Sequence, residues 1–226
     1  MAADGISRYP LDREQARNAS TISAVGKKMG LADHAVTVAL TAAFQESKLH
    51  NLAYGDRDSI GLFQQRPSQG WGTKAEILVP SYAAGAFYGR LDQLAGWETM
   101  TVTEAAQGVQ HSGAPDAYAH WEKPARIIAQ ALTGEVAAGF TCRANVPSGS
   151  LRSGALARAQ TRELGAPADG VSASSRRGWT IAGWLIGHAV EYGITSVSFA
   201  GQRWQATTGV WAAHAPADSI VTINGP

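Results

Sequence analysis

The sequence predicts a mainly α domain followed by a small α+β C-terminal domain. Three observations carry that prediction. Apolar and small residues recur at helical spacing through most of positions 11–134. The spacing then dissolves over 135–154, a stretch rich in Gly, Ala, Ser and Pro. Short β-branched runs enter only within 155–226. The three ranges read as a helical domain, a linker and a smaller domain without catalytic residues of its own.

Arg13 to Met29 carries Ala16, Ala19, Ile22 and Val25 at every third position, one stripe of an amphipathic helix that Gly30 stops. Asp33 is placed to cap a second helix, in which Ala35, Val38, Ala39, Ala42 and Ala43 line one face up to about Ser47. Between Leu49 and Gly72 the helical period gives way to Asn, Asp, Gly, Pro and Ser around a short apolar piece, Ile60 to Phe63. That composition predicts a looped segment with a small hairpin. Helical patterns return at Ser81 to Leu94, Thr103 to Val109 and Ala114 to Leu132. Beyond the linker, Arg176 to Tyr192 predicts a helix with Trp179, Ala182, Ile186 and Ala189 on one face, and Thr195 to Phe199 and Ser219 to Ile223 predict strands.

Composition removes several function classes. The 226 residues are 45% hydrophobic, enough for a real core, whereas charged residues are 16% with a net charge of +1 and no long run of either sign. A nucleic-acid partner is therefore not expected. The longest apolar stretch, Ala35 to Phe44, is interrupted by threonines and falls short of the roughly 20 residues that span a bilayer, so no transmembrane segment is expected. Met1 to Pro10 lacks the basic, apolar and small-residue order of a secretion signal. Cys142 is the only cysteine, which excludes an intrachain disulfide and a cysteine-rich metal site. His34, His50, His111, His120, His188 and His214 show no zinc-type spacing, so neither a metal nor another cofactor is expected.

Glu46 is the candidate for acid chemistry. Breaking a glycosidic bond needs a carboxylic acid still protonated near neutral pH, because the departing sugar oxygen must receive a proton. Partial burial is the usual way to keep that proton, and Glu46 closes a helix whose preceding turns, Leu40 to Phe44, are almost wholly apolar. The partial negative charge of a helix C-terminus favours the neutral acid further. The plainer reading leaves Glu46 in solvent, paired with Lys48 or Arg57. Asp56 and Asp58 are available as a second carboxylate, and the run Gly55-Asp56-Arg57-Asp58-Ser59 reads equally as a turn with a local ion pair.

The run Gln45-Glu46-Ser47 followed by Gly61-Leu62-Phe63-Gln64 resembles the paired signatures of the soluble lytic transglycosylases (SLT) and their goose-type-lysozyme-like relatives. More narrowly, Gln45 to Leu49, Gly55 to Ser59 and Gln64 to Gly72 are similar to a lysozyme-like domain of actinobacterial cell-wall proteins, a resemblance running from about Leu11 to Thr133. It implies a lysozyme-like fold for the first domain, with Glu46 as catalytic acid and Ser47 as the hydroxyl residue beside it. Gly61 and Gln64 match the cleft-lining motif. Phe63 stands in place of the usual Met and offers a ring for a sugar, while the Gln64 amide can both donate to and accept from an acetamido group. The family's third signature is loosely echoed by Gly108-Val109-Gln110-His111-Ser112-Gly113, so that Gln110 takes the place of the family's Asn and Tyr118 that of its Tyr. Trp71, Tyr82, Trp97 and Trp121 supply one or two sugar platforms and otherwise core.

The implied partner is the glycan strand of peptidoglycan, and the implied place of action is extracytoplasmic, at the cell envelope. Lytic transglycosylases work with one acid, because the substrate's acetamido oxygen and 6-hydroxyl act as internal nucleophiles; a muramidase would use a second carboxylate or water. The competing class is a degenerate lysozyme-like module that binds wall or a partner without turnover. In the tail, Gly178-Trp179-Thr180-Ile181-Ala182, Tyr192-Gly193-Ile194 and Arg203-Trp204-Gln205 resemble the end of zinc-dependent D-Ala-D-Ala carboxypeptidase-like domains. Gln205 stands where such an enzyme would place His, so the tail reads as a wall-binding or packing module.

Overall fold

The computed structural model of the chain describes residues 8–110, 115–168 and 170–226. The first helix, α1 (Arg13–Lys28), starts at a reciprocal cap: the Asp12 carboxylate accepts from the Gln15 backbone N–H and the Gln15 side chain accepts from that of Asp12, both at 2.9 Å. The expected stripe of Ala16, Ala19, Ile22 and Val25 is buried, and so is a second face made of Ser20, Thr21 and Ala24. Small residues allow both. One side of α1 packs on helices of the first unit, the other on helices of the tail.

The second helix, α2 (Asp33–Ser47), is buried over nearly its whole circumference, from Ala35 to Phe44. Its N-cap is Ala32 and not Asp33. Asp33 instead occupies the first turn, where the helix dipole favours a carboxylate, and it pairs with Lys27 at 2.8 Å and with Arg176. Against α2 pack α4 (Pro80–Asp92), α5 (Val102–Gln110) and α6 (Ala119–Leu132), while α3 (Lys74–Ile77) packs on α4. The predicted hairpin reduces to one reciprocal bridge, Ile60 with Gln65, both bonds 3.0 Å long, closing a tight turn over 61–64. The four-residue α3 escaped the periodicity because it is shorter than two turns; Thr73 and Glu76 cap it reciprocally.

In the tail, α7 (Ser153–Leu164), β1 (Val171–Ser172), α8 (Ser175–Gly187), α9 (Ala189–Tyr192), β2 (Ser196–Phe199), β3 (Gln202–Gln205), β4 (Val210–Ala213) and β5 (Ile220–Asn224) form the α+β unit. Its antiparallel sheet runs in the order β1-β5-β2-β3-β4. The single helix predicted for Arg176 to Tyr192 is interrupted at His188, whose Nδ1 lies 2.9 Å from the Trp184 carbonyl. Helix α7 straddles the predicted end of the linker; its buried positions include Gln160 and Glu163, which blur a hydrophobic period. The segment before it lies along the sheet: Ala144 N–H donates to Ala206 O at 2.9 Å, and the indoles of Trp204 and Trp211 donate to the carbonyls of Cys142 and Phe140, each at 3.0 Å.

Two hydrophobic cores result. Phe140 packs against both, and α1 contributes Ile22 to one and Ala24 to the other. Helix α8 reaches the sheet by close approach: a Cβ at Gly178 would lie 1.9 Å from Phe199 Cζ. The Phe199 ring meets Trp179 edge-on at 5.2 Å and is 2% exposed, so it has little room to retreat. Gly178→Ala is expected to destabilise the protein by about 1–3 kcal/mol, as overpacking of a filled core does. A urea melt followed by tryptophan fluorescence checks this, and an unchanged midpoint would contradict the packing described.

Candidate active site

Helix α2 ends in an unusual way. Lys48 (φ 56°) and Leu49 (φ 63°) both adopt the left-handed conformation, which turns the chain back sharply after Glu46 and Ser47. Leu49 N–H returns to Ala43 O at 3.1 Å and Lys48 N–H to Phe44 O at 3.0 Å, so carbonyls of the last turn have partners. Ser47 then ties the turn to the neighbouring loop: its buried hydroxyl lies 2.7 Å from Leu62 O and 3.1 Å from Ala43 O. Through that contact the 61–64 turn lies against the end of α2.

Glu46 is half-buried beside this junction. Tyr118, on the turn before α6 and with no exposed surface, donates its hydroxyl to Glu46 Oε1 at 2.7 Å. The Gln110 amide, at the end of α5, donates to Phe63 O at 2.9 Å and lies near enough to the Glu46 side chain to favour its charged form. Thus α2, α5, the 61–64 turn and the approach to α6 converge on one carboxyl. Loss of solvent is the largest influence on it and raises its pKa above the ordinary glutamate value; the bond from Tyr118, the nearby Gln110 amide and the charge of Lys48 pull the other way and are outweighed.

The predicted site residues divide into groups. Glu46, Gln110 and Tyr118 come together. Ser47 is 6% exposed with its hydroxyl committed to two carbonyls, so it positions the loop and does not face a substrate. Gly61 supplies the positive φ of 78° at the start of the turn. Phe63 is corrected from sugar platform to core: its ring is 1% exposed and stacked on Phe87 at 4.7 Å, because the turn that brings its carbonyl to Gln110 points the side chain inward. Gln64 lies over Gly55, and its amide donates within its own loop to Tyr54 O at 3.3 Å and Gly61 O at 3.2 Å. Both bonds are at the long end of the normal range. His111, Ser112 and Gly113 of the third signature lie outside the described residues.

The Asp58 carboxyl is engaged within its own loop. Arg66 Nε at 2.7 Å and the backbone N–H of Ser68 at 2.8 Å hold its carboxyl far below the ordinary range. Asp56 is exposed, with Arg57 at 3.9 Å. Among the four aromatic candidates, Trp71 and Trp97 are 6% and 4% exposed and belong to the core. Trp121 is the one beside the acid: it stacks on Phe44 at 5.0 Å, donates to Gln45 Oε1 at 3.0 Å and carries Lys48 Nζ over its face. Sequence reasoning missed this pairing of Lys48 with Trp121, since only the turn after Ser47 brings position 48 over α6. A separate cavity of about 1350 Å³ between the helical unit and the tail does not include Glu46. Among the described residues no group of three His, Cys, Asp or Glu could hold a metal ion.

No protein-family model matches the chain, and no curated protein matches it.

The raised pKa of Glu46 has a consequence for stability. A carboxyl whose pKa is raised by folding favours the folded state at low pH, and that contribution disappears as pH rises through the folded-state value. Glu46→Gln, which leaves no charge to bury, should therefore raise the melting temperature at pH 7, by roughly 2–4 °C for each kcal/mol relieved, with the advantage vanishing below the ordinary glutamate range. Paired thermal melts across pH 3 to pH 8, taken as about those limits, test the sign. A variant less stable than the parent at pH 7 would mean that the carboxylate is welcome where it sits.

Proposed function

We propose that the chain cleaves the glycan strand of peptidoglycan, as a lytic transglycosylase or a muramidase, with Glu46 as its general acid. The observation that supports this reading most is the environment of Glu46: a carboxyl partly withdrawn from solvent at the end of an apolar helix, bonded by a tyrosine hydroxyl and with a glutamine amide close by. Glu46, Gln110 and Tyr118 are also among the positions that the sequence resemblance singles out, and Glu46 lies more than sixty positions from the other two.

In the proposed reaction protonated Glu46 gives its proton to the bridging oxygen as the anomeric C–O bond breaks, and the bonding pair leaves with that oxygen. The cation-like sugar is trapped by the oxygen of its own acetamido group, which bonds the anomeric carbon. The Glu46 carboxylate then removes the proton of the sugar's 6-hydroxyl as O6 attacks the anomeric carbon; the acetamido oxygen leaves with its bonding pair and the neutral amide re-forms, which restores the acid and yields a 1,6-anhydro end. A muramidase would differ only in the last step, with water in place of the 6-hydroxyl and a reducing end as product. Among the described residues the groups acting on Glu46 are Tyr118, Gln110 and Lys48, none of them a carboxylate, and this supports the single-acid route. The proposed site of action is the cell envelope; among the described residues no helix is long and apolar enough to cross a membrane.

Purified protein incubated with peptidoglycan should release muropeptides with anhydro ends by mass spectrometry, and Glu46→Gln should release them at least about 100-fold more slowly. Equal release by parent and variant would refute the assignment. The pH profile tests the proton. Because the acid must be protonated, kcat/KM should fall on the alkaline side, along a limb above the ordinary glutamate range. Tyr118→Phe deletes a donor that favours the carboxylate, so the limb should move to higher pH; a limb that stays put would show that Tyr118 does not govern the acid.

A further inference from the structure

Lys48 has a setting that acid catalysis alone does not explain. Its backbone is fixed in the left-handed region, with its N–H bonded to Phe44 O at 3.0 Å and its carbonyl accepting from Gln15 Nε2 at 2.9 Å. Its side chain is exposed, yet the ammonium rests 4.3 Å from the centre of the Trp121 ring. That ring is itself fixed, parallel to Phe44 within 3° and bonded to Gln45. No ion pair within the described residues neutralises Lys48. A positive charge is thus held in place at the edge of the site, near enough for its field to favour the Glu46 carboxylate.

For a general acid this charge is a handicap, since it draws the proton away from Glu46. The handicap disappears when an anion lies against Lys48, because the two charges cancel at the acid. Peptidoglycan offers such an anion next to the bond. The sugar whose anomeric carbon reacts carries a lactyl ether, which ends in a free carboxylate when the stem peptide has been removed; when the peptide is present, the nearest carboxylates belong to the peptide. Neutral polymers of N-acetylglucosamine offer neither. A compact ammonium on a fixed stem suits a single carboxylate oxygen as a point charge.

We propose that Lys48, held on Trp121, forms a subsite for a carboxylate carried by the glycan beside the bond that Glu46 cleaves. The subsite rests on the reading of Glu46 as the acid of a glycan-cutting site. It makes the site selective for acidic over neutral glycans, and couples that selection to the proton on Glu46.

Binding measured on the Glu46→Gln background separates recognition from turnover. Three ligands of matched length are titrated by calorimetry: peptide-free glycan strands, peptide-bearing strands and chitin oligosaccharides. The expected result is tighter binding of an acidic strand than of chitin, by about fivefold. That preference should vanish when Lys48→Ala is added, survive Lys48→Arg, and fade between about 0.05 and about 0.5 M salt. Loss of preference for peptide-free strands identifies the lactyl carboxylate as the anion, and loss for peptide-bearing strands alone identifies the stem peptide. Equal weakening on all three ligands would mean that Lys48 only packs on Trp121, and an absence of acidic preference would overturn the subsite directly. Turnover without acidic preference defeats the subsite alone; acidic preference with a parent enzyme that releases nothing defeats the catalytic reading alone.

Discussion

A helix that ends inside a protein leaves carbonyls in need of partners and a partial negative charge beside them. In this chain the end of α2 meets that constraint with two consecutive left-handed residues and one serine. Lys48 and Leu49 bend the chain back onto the last turn, and the Ser47 hydroxyl bonds both its own helix and the Leu62 carbonyl. The same geometry brings the 61–64 turn to Glu46 and carries Lys48 over Trp121. Were Ser47 unable to bond Leu62, the wall of the site would lose its tie to the acid, and a buried carbonyl would be left without this donor at a cost of about 1–3 kcal/mol.

The larger architecture backs that junction through α1. Helix α1 lies between the two cores, and its small second face admits α7 and α8. Where they meet, a buried polar seam joins the units: Thr21 and the Trp184 indole each donate to Glu163 Oε2 at 2.8 Å, and Arg162 approaches the other oxygen at 3.0 Å. A carboxylate with three donors can stay inside a protein, and removing any one of them would expose the cost of its burial. The tail is therefore built into the support of α1, whose Gln15 and Asn18 in turn bond the carbonyls of Lys48 and Leu49.

Much of the helical unit was legible because its signals are local. The stripe of α1, the apolar run of α2 and the stop at Gly30 are sequence periods that burial follows closely. Asp33 misled as a cap because a cap and a first-turn acid look alike in sequence, and the choice between them falls to Lys27 and Arg176, one of them 143 positions away. The tail was less legible: α7 buries Gln160 and Glu163, and β3 and β4 are four-residue strands too short to show an alternation. In the site, motif order pointed to Glu46, Gln110 and Tyr118 as positions of interest, but neither the contact of the last two with Glu46 nor the fates of Ser47 and Phe63 could be read from it. Which way a side chain turns from a tight loop depends on the cavity that the rest of the fold leaves for it, and Phe87 fills that role for Phe63.

The central claim is that Glu46 holds its proton because the fold withdraws it from water. A carbon-detected NMR titration of the protein, with glutamate side chains labelled and the Glu46 signal assigned by its absence in Glu46→Gln, reads that proton without substrate or turnover. The account predicts a Glu46 midpoint above those of the exposed glutamates in the same spectrum. A midpoint at or below theirs would contradict it.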